Sequence, residues 1–234
     1  MMKSSRLISI VLALVLLTSI LSIWFQSSIM DYMEGNRQWN GSKDFVNYFN
    51  PVVIDSLKAI DSVSFSGTII AVPVTDYSPD DLARIAKFVN KGGTLILMDD
   101  FGHGNNILQY LSMNVRFAPG VLLDPLFCDK NQELVRIVSF SPSLTTDSIK
   151  SVSFNRGTSL INVGDGSEVL ASSSDLSFMD LNDNGVWDTN EPQGPFVVSA
   201  KYKVNSGYIV LVTDPSILIN SMLHLDDNIG FMKY

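Results

Sequence analysis

The chain is poor in the residues that hold transition metals and attack electrophiles. It has one cysteine, Cys128, and two histidines, His103 and His224, in 234 residues. A single cysteine excludes an internal disulfide and a cysteine-based zinc cluster. Two histidines exclude a histidine-rich metal site. Positive charge is also scarce: 16 Lys and Arg stand against 24 Asp and Glu, for a net charge of -8 and a pI near 4.6. An acidic surface repels phosphate backbones, so nucleic acid is not an expected partner. No internal repeat or low-complexity tract breaks the chain, and no pattern for a nucleotide or redox cofactor is present.

One stretch lacks charge altogether. Lys3 and Arg6 precede Leu7–Phe25, which is apolar apart from Ser9, Thr18, Ser19 and Ser22. About 18 or more such residues can span a bilayer as a helix. A cleaved signal peptide is the alternative, but its apolar core is usually shorter and ends at a small-x-small site. Here the run ends in Trp24-Phe25-Gln26, an interfacial aromatic pair. The pattern therefore predicts an uncleaved anchor over 1–26 with its N-terminus in the cytoplasm, a polar stalk over 27–41, and an extracytoplasmic domain over 42–234. Asn40-Gly41-Ser42 is a glycosylation sequon compatible with that side of the membrane.

The body alternates strand and helix signals. Ser42 can cap a helix carrying Phe45, Val46 and Phe49, and Asn50-Pro51 can end it and start another that buries Ile54, Leu57 and Ile60. Thr68–Val74 reads as a strand, with Pro73 ending its pairing. Ser78-Pro79-Asp80-Asp81 is a helix start, followed by Leu82, Ile85, Ala86 and Val89 on one face and closed by Gly92-Gly93. Thr94–Met98 is an apolar run of strand length bounded by glycines, as expected inside a parallel sheet. A helix burying Ile107, Leu108 and Leu111 follows. Short strands are expected at Val115–Phe117, Leu134–Phe140, Ser148–Phe154, Ser159–Val163 and Glu168–Ser172. Phe196–Val204 and Tyr208–Thr213 form a hairpin, and Ile217–Leu223 a last helix. This is an α/β fold with a mixed, mainly parallel sheet.

Three constellations can carry chemistry. Asp99-Asp100-Phe101-Gly102-His103-Gly104-Asn105 lies just past the central strand, where ligands of parallel sheets gather. Its glycines can turn backbone N–H groups toward an anion, while its paired carboxylates suit a cation, a sugar hydroxyl or an amine. The same acids can simply cap the turn. His103 is a candidate base, so a hydrolase or transferase using Asp99, Asp100 and His103 is one reading. Second, Asp180–Glu191 fits D-x-[DN]-x-[DN]-G-x5-E at every specified position. Its calcium ligands would be Asp180, Asn182, Asn184, the Val186 carbonyl, Asp188 and Glu191. Gly185 would supply the bend, and Trp187 the inward apolar position. Pro192, Gly194 and Pro195 forbid the exit helix of an EF-hand, so the loop would sit between strands; an Asp/Asn/Gly turn closed by its own hydrogen bonds is the alternative. Third, Ser141-Pro142-Ser143 and Asp214-Pro215-Ser216, with Asn220, follow strands and can face the same crevice as Asp99, or cap helices.

Taken together, Asp99-Asp100-Phe101-Gly102-x-Gly104-Asn105, the loop Asp180–Glu191 with Pro192-Gln193-Gly194-Pro195, and Asp214-Pro215-Ser216-Ile217 with Asn220 resemble the type 1 glutamine-amidotransferase-like domain of membrane-anchored prokaryotic proteins, a domain of unknown function. The resemblance covers about residues 40–232. It implies a flavodoxin-like three-layer sandwich held at the cell surface, in a surface protein complex. Amidotransferases of this type carry a cysteine at the elbow after the central strand. Here that elbow holds Asp100-Phe101-Gly102-His103-Gly104, and Cys128 lies elsewhere. His224-Leu225-Asp226 is similar to the late histidine–acid pair but has no nucleophile to activate. The resemblance therefore implies a non-catalytic ligand- or protein-binding module with a structural calcium site.

Overall fold

The computed structural model describes residues 2–25, 30–145 and 149–234. The first residue, the end of the expected anchor with the start of the stalk (26–29), and the first residue of the strand expected over Ser148–Phe154 lie outside the described residues; the rest of that strand is realised only at Val152–Ser153, paired antiparallel with Arg136–Ile137.

A sheet of six strands organises the domain. In chain order they are β1 (Thr68–Ala71), β2 (Thr94–Met98), β3 (Ser139–Phe140), β4 (Ser167–Ser172), β5 (Val197–Val204) and β6 (Gly207–Val212). Their spatial order is β1-β2-β6-β5-β4-β3. β1 and β2 pair parallel, as do β2 and β6. β6–β5, β5–β4 and β4–β3 are all antiparallel. The sheet is therefore mixed but mostly antiparallel, which corrects the expectation of a mainly parallel one and departs from all-parallel flavodoxin-like order. The reason lies in the hairpin. β5 and β6 are joined by Asn205-Ser206, and a turn that short forces antiparallel pairing. The long connection through a helix, Pro79–Asn90, by contrast joins β1 to its parallel neighbour β2.

Both faces of the sheet are covered, and the period-2 alternation of the strands assigns each side chain to one of them. Leu95, Leu97, Ile209 and Leu211 point to one face. There they meet Ile85, Phe88 and Val89 of the helix Pro79–Asn90 and Ile107 and Leu108 of the helix Asn105–Tyr110. Ile96, Met98, Val210 and Val212 point to the other face. That face is roofed by loops and short elements through Leu122, Ile137, Phe154, Ile217 and Leu223.

The helix signals are partly realised. Ser78 caps Pro79–Asn90 as expected, its hydroxyl accepting from Asp81 N–H. Ser42 precedes the helix Lys43–Phe49 but makes no capping bond; its hydroxyl donates instead to the Tyr32 carbonyl, 2.7 Å away. Asn50 ends that helix in the left-handed region, so the second helix expected from Asn50-Pro51 is replaced by a 3-10 turn over Leu57–Ser62. Likewise the last expected helix is only a 3-10 turn, Pro215–Leu218, with a separate helix at Asn228–Lys233.

Before the domain runs a helix of 24 residues, Met2–Phe25. Its side chains are described over 8–19, where Ile8, Leu12 and Leu16 are exposed. Among the described residues no helix is long and apolar enough to cross a membrane. Residues 30–41, expected as a stalk, fold back on the domain. Asn220 Nδ2 donates to the carbonyls of Asn36 and Gln38 at 3.1 and 2.6 Å, and Ser221 N–H donates to the Trp39 carbonyl at 3.1 Å.

The β2–β6 seam is the packing centre, so Leu97→Ala should destabilise the protein by about 2–5 kcal/mol. Val52→Ala, at a fully exposed position, should change stability by less than about 0.5 kcal/mol. Denaturant unfolding of both variants checks the contrast.

Candidate functional site

The parallel register between β2 and β6 places the site. Met98 is opposite Val212, and Asp99 N–H donates to the Val212 carbonyl at 3.1 Å. Continuing that register sets Asp99 beside Thr213 and Asp100 beside Asp214. The alternation then divides the two adjacent acids. Asp99 follows Leu97 toward the helical face. Asp100 follows Met98, and Asp214 follows Val212, toward the other.

Asp99 is fully buried and closes its own turn. One carboxylate oxygen accepts from Phe101 and Gly102 N–H at 2.9 and 3.2 Å, and the other from Gly104 N–H at 2.7 Å. Burial raises its pKa, and these three bonds oppose the rise. Gly104 is required here, because a Cβ would stand 2.9 Å from the Asp99 carboxylate. Asn105 is tied to Phe117 through both backbone groups, at 2.9 and 3.1 Å. His103 turns outward to Asp76, 2.8 Å away. The glycine loop is thus a self-capped turn, in which Asp99 is bonded to the backbone and His103 to Asp76.

Asp100 lies in a cleft of 330 Å³. Its Oδ1 is buried without a hydrogen-bond partner. Burial, with the charges of Asp214 and Asp99, pushes its pKa up to about 8. Asp214 is fully buried beneath it, accepting from Asn155 N–H at 2.6 Å and from Ser216 N–H at 2.7 Å. Burial pushes Asp214 up to about 7 despite those bonds. At neutral pH the pair therefore retains protons that ordinary carboxyls would have lost. Tyr32, hydrogen-bonded to Ser216, closes the cleft floor, and burial raises its pKa. It holds φ +60°, a conformation bulky residues rarely adopt.

The walls were not legible as site residues. Asp31, Trp39 and Asn40 come from the segment read as a stalk, and Phe101 and Arg156 complete the rim. Trp39 is 66% exposed and Phe101 54%. Asn40 of the sequon is instead occupied: it donates to Asp31 and accepts from Asn36 at 3.0 Å. Arg156 Nη1 pairs with Glu133, and Nη2 with Asp183 at 2.8 Å. Ser216 lines the cleft as expected, but Asn220 serves as the clamp on residues 36–41. Ser141 and Ser143 lie elsewhere, bonded to each other at 2.6 Å and, from Ser143, to Glu168 at 2.9 Å. A wider depression of 670 Å³ between Phe127, Val169 and Leu176 has Asp175 as its only titratable lining residue.

The loop 180–191 follows a short strand, Phe178–Asp180, that pairs with Val121–Leu123. Asp180 accepts from the N–H groups of Asn182, Asn184 and Gly185, the last at 2.7 Å, which lowers its pKa. Glu191 accepts from Leu181 and Asp188 N–H at 2.7 and 3.0 Å. The side-chain amides of Asn182 and Asn184 converge on Asp188 Oδ2, at 2.8 and 2.9 Å. Two N–H donors thus occupy the place where a cation would meet that carboxylate. Turning both amides over would present oxygens there, so the donor set fits calcium chemically. Among the described residues, however, no three His, Cys, Asp or Glu side chains stand close enough together to hold a metal ion. Trp187, expected to point inward, is 43% exposed, its indole N–H donating to the Glu191 carbonyl.

The family described as Domain of unknown function (DUF4350) matches residues 34–234. The chain belongs to it. This DUF4350 chain is similar in structure to the mmIFT52 N-terminal domain, with a TM-score of 0.66 at 10% identity, over 89% of this chain and 92% of that one. At that identity the likeness is one of fold. A thuA-like protein of Bacteroides uniformis scores 0.43 at 13% identity, over 81% of this chain and 78% of that one. A beta-galactosidase from Bacillus circulans sp. alkalophilus scores 0.39 at 15% identity, over 68% of this chain and 22% of the enzyme. No curated protein matches the DUF4350 chain in sequence.

Because Asp100 is held above its ordinary pKa by burial, the folded state binds its proton more tightly than the unfolded chain. Its contribution to stability is therefore present at acid pH and is lost as pH rises through about 8. Asp100→Asn should leave thermal stability nearly unchanged at pH 4.5 and raise Tm by about 2–8 °C at pH 8.5. Calorimetric melting at the two pH values checks the sign.

Proposed function

We propose that this chain is a membrane-tethered, extracytoplasmic binding module, an amidotransferase-like shell that holds a small ligand rather than transforming it. One observation carries the reading. Asp100 presents a buried carboxyl oxygen with no partner in a cleft rimmed by exposed Trp39 and Phe101. An unpaired buried oxygen costs about 1–3 kcal/mol, a cost that a ligand donor would remove. Exposed aromatic walls supply the apolar area that such sites use to hold small polar ligands. The chemical machinery of the alternative is dispersed: Asp99 is consumed by its turn and His103 by Asp76. The apolar helix Met2–Phe25 supports the tether, since the leucine and isoleucine side chains described over 8–19 are left without a protein cover.

An acid of pKa about 8 makes the ligand class testable. A cationic ligand would bind the ionised form, releasing a proton on binding below pH 8. Its affinity should then rise by up to about tenfold per pH unit between pH 5 and 7 and level off above 8. A neutral polyol would show no such rise. Calorimetric titration with ethanolamine across this range, in wild type and Asp100→Asn, decides: a flat profile, or one that the variant shares, removes the cation-binding reading.

The loop 180–191 is the proposed structural calcium site, with Asp180, Asn182, Asn184, the Val186 carbonyl, Asp188 and Glu191 as its ligands. The ion would cross-link a loop that now closes on its own hydrogen bonds. Calcium at millimolar concentration should raise Tm in wild type and not in Glu191→Gln; no calcium-dependent shift in wild type would eliminate the site.

A further inference from the structure

Three features of the cleft point beyond a generic cation. The first is where its wall comes from. Asp31, Tyr32, Trp39 and Asn40 belong to the segment directly after the helix Met2–Phe25. Asp31 is six residue steps from Phe25, and an extended chain covers at most about 3.6 Å per residue, so the start of the wall lies within about 22 Å of the helix end. A cleft on so short a lead cannot stand far from whatever surface holds the helix.

The second feature is the apolar surface beside the cleft. Met30, Met33, Trp39 and Phe101 are all exposed on or next to its rim. A domain facing only water gains nothing from such a group, whereas a headgroup layer accommodates it, and tryptophan in particular is favoured there.

The third feature is charge. The cleft can answer both signs: Asp31, joined by Asp100 once a cationic ligand displaces its proton, on one side of the balance, and Arg156 on the other. Arg156 engages Glu133 through Nη1 and Asp183 through Nη2, and a guanidinium has five N–H donors, more than these two pairs consume. An ammonium and a phosphate in one ligand would answer both signs at once. The volume of 330 Å³ is at the small end of ligand sites, enough for a headgroup and too little for acyl chains, which would remain in the bilayer.

We infer that the cleft binds the zwitterionic aminophosphate headgroup of a lipid in the membrane to which the chain is tethered, the ammonium meeting Asp31 and Asp100 and the phosphate meeting Arg156. This rests on the tethered binding-module reading and narrows it to one ligand class. Tethering also explains how a small, open cleft reaches useful occupancy, because a ligand confined to the same membrane is present at high effective concentration.

The test uses the full chain in phosphatidylglycerol liposomes, with Trp24→Phe and Trp187→Phe leaving Trp39 as the fluorescent reporter. Flotation first establishes whether the protein stays with the vesicles. Phosphatidylethanolamine is then raised from 0 to 40 mol%. The expected result is a saturable change in Trp39 emission, with a midpoint at least tenfold higher in Asp100→Asn and in Arg156→Gln and unchanged in Ser143→Ala. Failure to float overturns both the tether and this inference. Floating protein with no response to phosphatidylethanolamine overturns this inference alone, and ethanolamine calorimetry still reports on the binding module. If soluble O-phosphoethanolamine acts on the same vesicles at concentrations equal to or below the lipid's, the ligand is free in solution, and the lipid assignment is overturned.

Discussion

The pairing of β2 with β6 is the constraint on which the rest depends. It is one of only two parallel contacts in the sheet, and it joins strands more than a hundred residues apart in sequence. Its register brings Met98 against Val212, so the carboxyls that follow each strand arrive side by side. Two acids in one dry place repel each other and resist ionisation. A slip of one residue would turn every side chain of β6 to the opposite face and separate Asp100 from Asp214. The buried Leu95, Leu97, Ile209 and Leu211 on one side, and Met98 and Val212 on the other, hold that register with hydrophobic area on both faces.

Around this seam the molecule separates rigidity from function. Asp99 engages both carboxylate oxygens in the glycine turn, and Asn105 locks that turn to Phe117. The result is a shelf from which Asp100 lines the cleft. Asp214 is similarly fixed by Asn155 and Ser216. The polar chemistry of the cleft therefore rests on groups that cannot relax toward solvent, which is what keeps their pKa values displaced. The loop 180–191 reaches the same region indirectly, since Asp183 holds the Arg156 guanidinium at the cleft rim.

Local signals in the sequence were read where the chemistry is local. Ser78-Pro79 announced its helix, the apolar run Thr94–Met98 its buried strand, and the Asn205-Ser206 turn its hairpin, because each is decided by neighbours a few residues away. Strand direction was not legible beyond that: the balance of parallel and antiparallel pairs depends on which strands meet, and β3 and β4 join the sheet through distant partners. The acids at the ends of β2 and β6 were recognised, yet their division into a turn-capping Asp99 and a cleft-lining Asp100 follows from alternation across a sheet whose layers had to be known. Residues 30–41 were the largest omission. They look like a polar connector because they lack periodicity, and bonds from the distant Ser216, Asn220 and Ser221 convert them into a wall.

That clamp has a consequence for how the protein comes into being. The bonds from Asn220 to Asn36 and Gln38 join positions 184 and 182 residues apart, so during synthesis the wall cannot close until Asn220 has emerged. Contacts of such long range form late. A nascent or C-terminally clipped polypeptide can assemble β1 and β2 and still have no enclosed cleft. The enclosure of the cleft is in this way tied to the folding of the segment around Asn220.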